Sequence, residues 1–185
     1  FRNLGKSAVY SPGIVDIVTQ NVDIRTCTVM VRQKLVDKIL KADPFLHGDH
    51  FKMGDTQLWG EISLVSKIHY IDEFFATYLV LIESATQSKN FLKKLHFWTS
   101  ANEMFLYLCT KHKLQERLRE KKKKNFIRES LQLAFFEHQV DMAEAVRKRF
   151  PHLSPRDLIW YYATKNYIFR LILLPAITIR NYMKK

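Results

Sequence analysis

The chain has 185 residues and a mass of 22.0 kDa, 47% of them apolar and 13% aromatic, which suits one folded domain and excludes both a disordered tail and a miniature scaffold stapled by disulfides or metal. Its formal charge of +12 is uneven, with +2 over residues 1–60, −1 over 61–110 and +11 over 111–185. A polyanionic partner is therefore expected at the C-terminal two-fifths: nucleic acid, an anionic membrane surface or an acidic protein.

All five glycines, Gly5, Gly13, Gly48, Gly54 and Gly60, lie within the first sixty residues. Glycine serves tight turns and left-handed backbone, so its absence from residue 61 onward predicts long helices there. Residues 1–24 read as an extended arm or short strand. Ser11, Pro12 and Gly13 mark a turn, followed by β-branched density at Ile14, Val15, Ile17 and Val18. The first residue is Phe1 rather than Met, which reads as loss of an upstream segment, either a processed import signal or a trimmed end, and points to a mitochondrial or other organellar location.

From about Thr28, Val31, Leu35, Ile39 and Leu40 have helical spacing, and Asp43-Pro44 stops that helix. A loop with three glycines follows. Asp55 or Thr56 then caps a helix whose stripe, Leu58, Ile62, Val65, Ile68, Ile71, Phe75, Tyr78 and Ile82, predicts the central and most buried element. After a polar break at Ser84 to Asn90, Phe91, Leu95, Trp98, Ala101, Phe105 and Leu108 give another helical face. Ile127, Leu131, Phe135, Met142, Val146 and Phe150 continue at helical intervals to Pro151. Ser154-Pro155-Arg156-Asp157 is the clearest local signal, a serine cap with proline at the first helical position. The last helix should start at Pro155 and bend near Pro175. The expected fold is mainly α, an irregular bundle of five or six helices with a short extended N-terminal arm, and residues 25–185 form a single helical domain.

The basic tract at 111–124 holds eight cations and two acids. It can be read as a solvated helix end supported by Glu116–Arg119 and Glu120–Lys124 pairs. Read functionally, it is a phosphate-binding ridge whose affinity would fall with salt. The candidate nucleic-acid contacts are Lys111, Lys113, Arg117, Arg119, Lys121, Lys122, Lys123, Lys124, Arg128, Arg147, Lys148 and Arg149. Phe126, Phe150, Tyr161, Tyr162, Tyr167 and Phe169 adjoin these cations and could stack on unpaired bases, although most fall at core intervals.

The final helix is apolar on nearly all sides, which suits an element gripped from outside. Trp160, Tyr161, Tyr162, Tyr167, Phe169 and Leu173 are its candidate partner-binding residues, with Lys165 and Arg170 snorkelling outward. No apolar run reaches the roughly 18 residues that cross a bilayer, so no complete transmembrane span is expected. Cys27 and Cys109 form no CxxC and read as reduced core thiols. His47-x-x-His50 with nearby aspartates is a weak metal pattern, and His69-x-x-Asp72 with His138-x-x-Asp141 lacks the Glu-x-x-His order of bundle di-metal sites. No cofactor motif, nucleophile elbow or glycine-rich phosphate loop occurs.

The expectation is a non-catalytic structural subunit of a large ribonucleoprotein, an organellar (mitochondrial) ribosome. Its partners would be RNA phosphates and neighbouring protein subunits, with anionic lipid as a further candidate. The alternative is an accessory helical subunit of a mitochondrial membrane complex, and the third reading is an enzyme with an unrecognised helical site.

Overall fold

The structure, a computed structural model, describes residues 11–22, 24–71, 73, 77 and 88–173. Among them every regular element is helical: α1 (Ile14–Thr19), a 3-10 turn (Thr26–Thr28), α2 (Gln33–Ala42), α3 (Pro44–His47), α4 (Thr56–Val65), α5 (Phe91–Lys111), α6 (Glu116–Glu137), α7 (Val140–Arg149) and α8 (Pro155–Lys165). The fold is mainly α, with more and shorter helices than the sequence suggests.

The expected arm or strand at 1–24 is helical over Ile14–Thr19, while residues 1–10 lie outside the described residues. Its β-branched residues mislead because the buried ones, Ile14, Ile17 and Val18, stand at helical spacing. Asp16 accepts the Gly13 amide at 3.0 Å and closes the first turn. Asp43-Pro44 both ends α2 and opens α3, where the Asp43 carboxylate caps the Leu46 amide at 3.0 Å.

The long central helix expected over 58–82 stops at Val65. Ser66 is extended (φ −148°, ψ 152°), and the Ile68 amide donates to the Ser11 hydroxyl at 2.7 Å, so the segment before α1 holds this strip out of helical conformation. The remainder of that stripe falls largely outside the described residues.

The centre belongs instead to α5 and α6. They run antiparallel, with His96 opposite Glu137, Asn102 opposite Glu129 and Phe105 opposite Lys122. The turn between them needs a left-handed residue and has no glycine to supply it. Lys113 adopts φ 49°, and the Leu114 amide returns to the Cys109 carbonyl at 3.0 Å. His138 at φ 59° closes α6 in the same way.

Three apolar clusters fill the interior. One joins α1 and α3 to α5 through Val18, Leu46, Phe105 and Leu108. A second joins α1, α2 and α4 through Ile17, Ile39, Trp59 and Ile62. The third joins α6, α7 and α8 through Ile127, Leu131, Ala143 and Tyr161.

As expected, α8 starts at Pro155: the Ser154 hydroxyl accepts the Asp157 amide at 3.3 Å and donates to its carboxylate at 2.6 Å. It breaks at Asn166, earlier than the bend expected near Pro175, a position outside the described residues. The Asn166 carboxamide oxygen takes the Ile168 and Phe169 amides at 3.0 and 3.2 Å, starting a second helical segment over 167–173.

Candidate nucleic-acid interface and an apolar face

The structure divides the expected cations into those spent on internal contacts and those left facing water. Lys111 bonds Asp43 at 2.8 Å and Glu61 at 2.9 Å. Arg119 pairs with Glu116 at 2.6 Å and Lys123 with Glu120 at 3.1 Å. Arg149 reaches Glu103 of α5 at 2.7 Å and lies over the rings of Phe126 and Phe150, while Arg147 donates to the Pro151 carbonyl at 2.5 Å.

Lys122 is withdrawn from the proposed ridge altogether. It is 6% exposed, with its amine 4.0 Å from the centre of the Phe105 ring, and burial pushes its pKa down to about 8. An inward lysine cannot meet phosphate. Its signal was in the sequence: it continues the face set by Leu118, Phe126 and Leu133 at helical intervals.

Arg117, Lys121, Lys124 and Arg128 remain on α6, without an ion pair among the described residues. At about 100° per residue they fall within an arc of about 60°, a stripe about 16 Å long. Arg117, Lys121 and Lys124 are exposed and Arg128 is half-buried. A cleft of about 250 Å³, lined by Gln115, Arg117, Leu118 and Lys121, opens at one end of the stripe. Lys113 and Lys148 are exposed cations outside it.

The expected base-stacking set divides: Tyr162, Tyr167 and Phe169 are exposed, and the other three are withdrawn. Phe126 and Tyr161 are buried and Phe150 is half-buried beneath Arg149, because α7 and α8 pack on that side of α6.

The partner-binding set also divides. Tyr161 lies in the third cluster and donates to Glu144, and half-buried Trp160 stands edge-on to Phe135 at 5.2 Å. Leu173 is half-buried. Tyr162, Tyr167 and Phe169 are exposed, along with Ile159, Ile168, Leu171 and Ile172. Pro155, Leu158, Ile159, Tyr162, Asn166 and Phe169 line an apolar groove of about 350 Å³.

Of the two expected snorkelling cations, Lys165 is exposed and Arg170 is not. Arg170 is buried over the Phe135 ring, its centre 4.8 Å away, and meets the His138 imidazole, while Lys165 pairs with Glu144 at 2.5 Å. Cys109 is buried, and burial raises its thiol pKa; Cys27, expected in the core, is exposed.

One titratable cluster ties α3, α4 and α5 together. The Tyr107 hydroxyl and Lys111 amine both donate to Asp43 Oδ2, at 2.9 and 2.8 Å, and His112 meets Glu61 at 2.7 Å. Burial works against the charge on Asp43, but the bonds from Lys111, the Leu46 amide and Tyr107 outweigh it and hold its carboxyl below the ordinary range. Burial likewise opposes the Lys111 charge, and its bonds to Asp43 and Glu61 raise its pKa in spite of that. Among the described residues no group of three or more His, Cys, Asp or Glu side chains is placed to hold a metal ion, and His50 lies against Phe45 and Phe51.

Comparison with protein-family models, with curated protein sequences and with solved structures gives no match to this chain.

Proposed function

We propose that this protein is a non-catalytic structural subunit of a large ribonucleoprotein, an organellar ribosome, and that it holds RNA by its phosphates. The observation that carries the reading is the α6 stripe. Neighbouring acids pair with Arg119 and Lys123, yet among the described residues Arg117, Lys121, Lys124 and Arg128, on one face, have no ion-pair partner. A row of cations that neutralises phosphates releases condensed counterions, and this drives binding without reading sequence. The exposed apolar face of α8 suits a neighbouring protein subunit.

The test is retention of the full chain on RNA across a salt series. Arg117→Gln, Lys121→Gln and Lys124→Gln combined should weaken binding and flatten the log–log salt slope by about 0.7–0.9 per lost contact. Unchanged affinity and slope would reject the stripe as the contact.

The apolar residues of 159–172 favour a second reading, an accessory subunit held against a mitochondrial membrane complex. Among the described residues no helix is long and apolar enough to cross a membrane. That reading expects association with the detergent-solubilised complex to survive nuclease, whereas the ribonucleoprotein reading expects release.

A further inference from the structure

Resting on the RNA-binding reading, we infer that the occupant of the α6 stripe is the backbone of a duplex segment of RNA, not an unpaired loop or tail. The stripe is four cations on one helix face about 16 Å long, a length over which one strand at the DNA duplex spacing of about 3.4 Å carries on the order of five phosphates. Because α6 is held on its other faces against Phe105 of α5 and Tyr161 of α8, the backbone that carries the cations is fixed for a rigid rod of charge.

A flexible single strand would have to be ordered to follow that row. Proteins that bind single strands offset this cost by stacking bases on aromatic rings beside the cationic track. The rings that adjoin the stripe in sequence cannot do so: Phe126 is 6% exposed, and Phe150 is covered by Arg149. Four cations on a helix that exposes no aromatic ring of its own favour charge density over base stacking. Pairing two strands doubles the charge per length, to one per about 1.7 Å of axis in duplex DNA against about 3.4 Å for either of its strands, and a duplex of RNA is likewise denser in charge than one of its strands. The contact is therefore independent of base sequence.

The test compares the full chain on a 20-base-pair RNA duplex and on a 20-nucleotide oligouridine (roughly two turns of helix, longer than the stripe) from about 50 to 200 mM salt. Tighter binding of the duplex by about tenfold or more is expected, with a log–log slope of about −3 to −4 that base composition does not alter. In Arg117→Gln/Lys121→Gln/Lys124→Gln this preference should collapse. Lys34→Gln/Lys38→Gln, which removes two exposed charges from α2, should keep it. Oligouridine bound as tightly as the duplex, with the salt slope intact, would overturn the inference and leave the RNA reading standing. An equal loss in the α2 variant would also overturn it, by placing the effect on net charge. If neither RNA is held at about 50 mM salt, both the inference and the reading fall.

Discussion

Of the four consecutive lysines at 121–124, Lys121 and Lys124 face water, Lys123 pairs with Glu120, and Lys122 points into the α5–α6 seam. Helical phase alone separates them, so the run as such could not show which lysine turns inward, whereas the stripe of Leu118, Phe126 and Leu133 could. Burial holds the Lys122 amine at about 8, below the ordinary 10.5. Below pH 8 the fold carries a buried charge that the unfolded chain keeps solvated. Between pH 8 and 10.5 the unfolded chain binds more protons, so this penalty fades as pH rises. Lys122→Met, close in shape and uncharged, should stabilise the protein at pH 7 by about 1–3 kcal/mol, the lost contact with Phe105 offsetting part of the gain. Urea denaturation should show the advantage shrinking towards zero by about pH 10.5. An advantage constant with pH would assign it to packing.

At the scale of elements, the best-marked boundary was the start of α8, because Ser154, Pro155 and Asp157 act locally and their signals need no tertiary partner. Removing the cap with Ser154→Ala should destabilise the protein by about 1 kcal/mol, and Ser154→Thr, which keeps a hydroxyl to accept the Asp157 amide and donate to its carboxylate, should retain most of the stability, as read by denaturant midpoint at unchanged slope. The stripe from Leu58 to Ile82 shows the opposite case. Its periodicity runs past Val65, but the Ser11 hydroxyl, 57 residues from Ile68, takes the amide of that segment. The glycine-free stretch is helical over most of residues 91–173 but not over 66–71. Its turns escaped notice because Lys113 and His138 take the left-handed conformation that glycine would otherwise serve.

At the scale of the molecule, the ties between elements were the least legible part of the sequence. Arg149 meets Glu103 across 46 positions, and Lys111 meets Asp43 and Glu61 across 68 and 50. Nothing in a single sequence marks which cation of a basic tract an acid that distant will claim, so no sequence signal showed that Lys111 and Arg149 brace α5 against other elements. Lys111→Met leaves two carboxylates crowded without their cation and should cost about 2 kcal/mol, reduced from a fully buried case because the side chains retain some solvent. Arg119→Gln, which breaks one exposed pair on α6, should stay within about 0.5 kcal/mol. Acid titration should show the Asp43 contribution complete above its ordinary 3.8 and lost as pH falls below that value through the depressed native one.

The two thiols differ sharply in reach: Cys109 is sealed between α5 and its neighbours, while Cys27 stands open in the 3-10 turn before α2. A maleimide dye added to the folded protein would therefore attach at one natural position and leave the α6 stripe untouched. The wild-type chain thus supplies its own handle for fluorescence anisotropy, with no engineered cysteine. The same exposure lets dissolved oxygen take two electrons from a pair of Cys27 thiols, so samples stored in air without reductant would be joined as Cys27–Cys27 disulfide dimers.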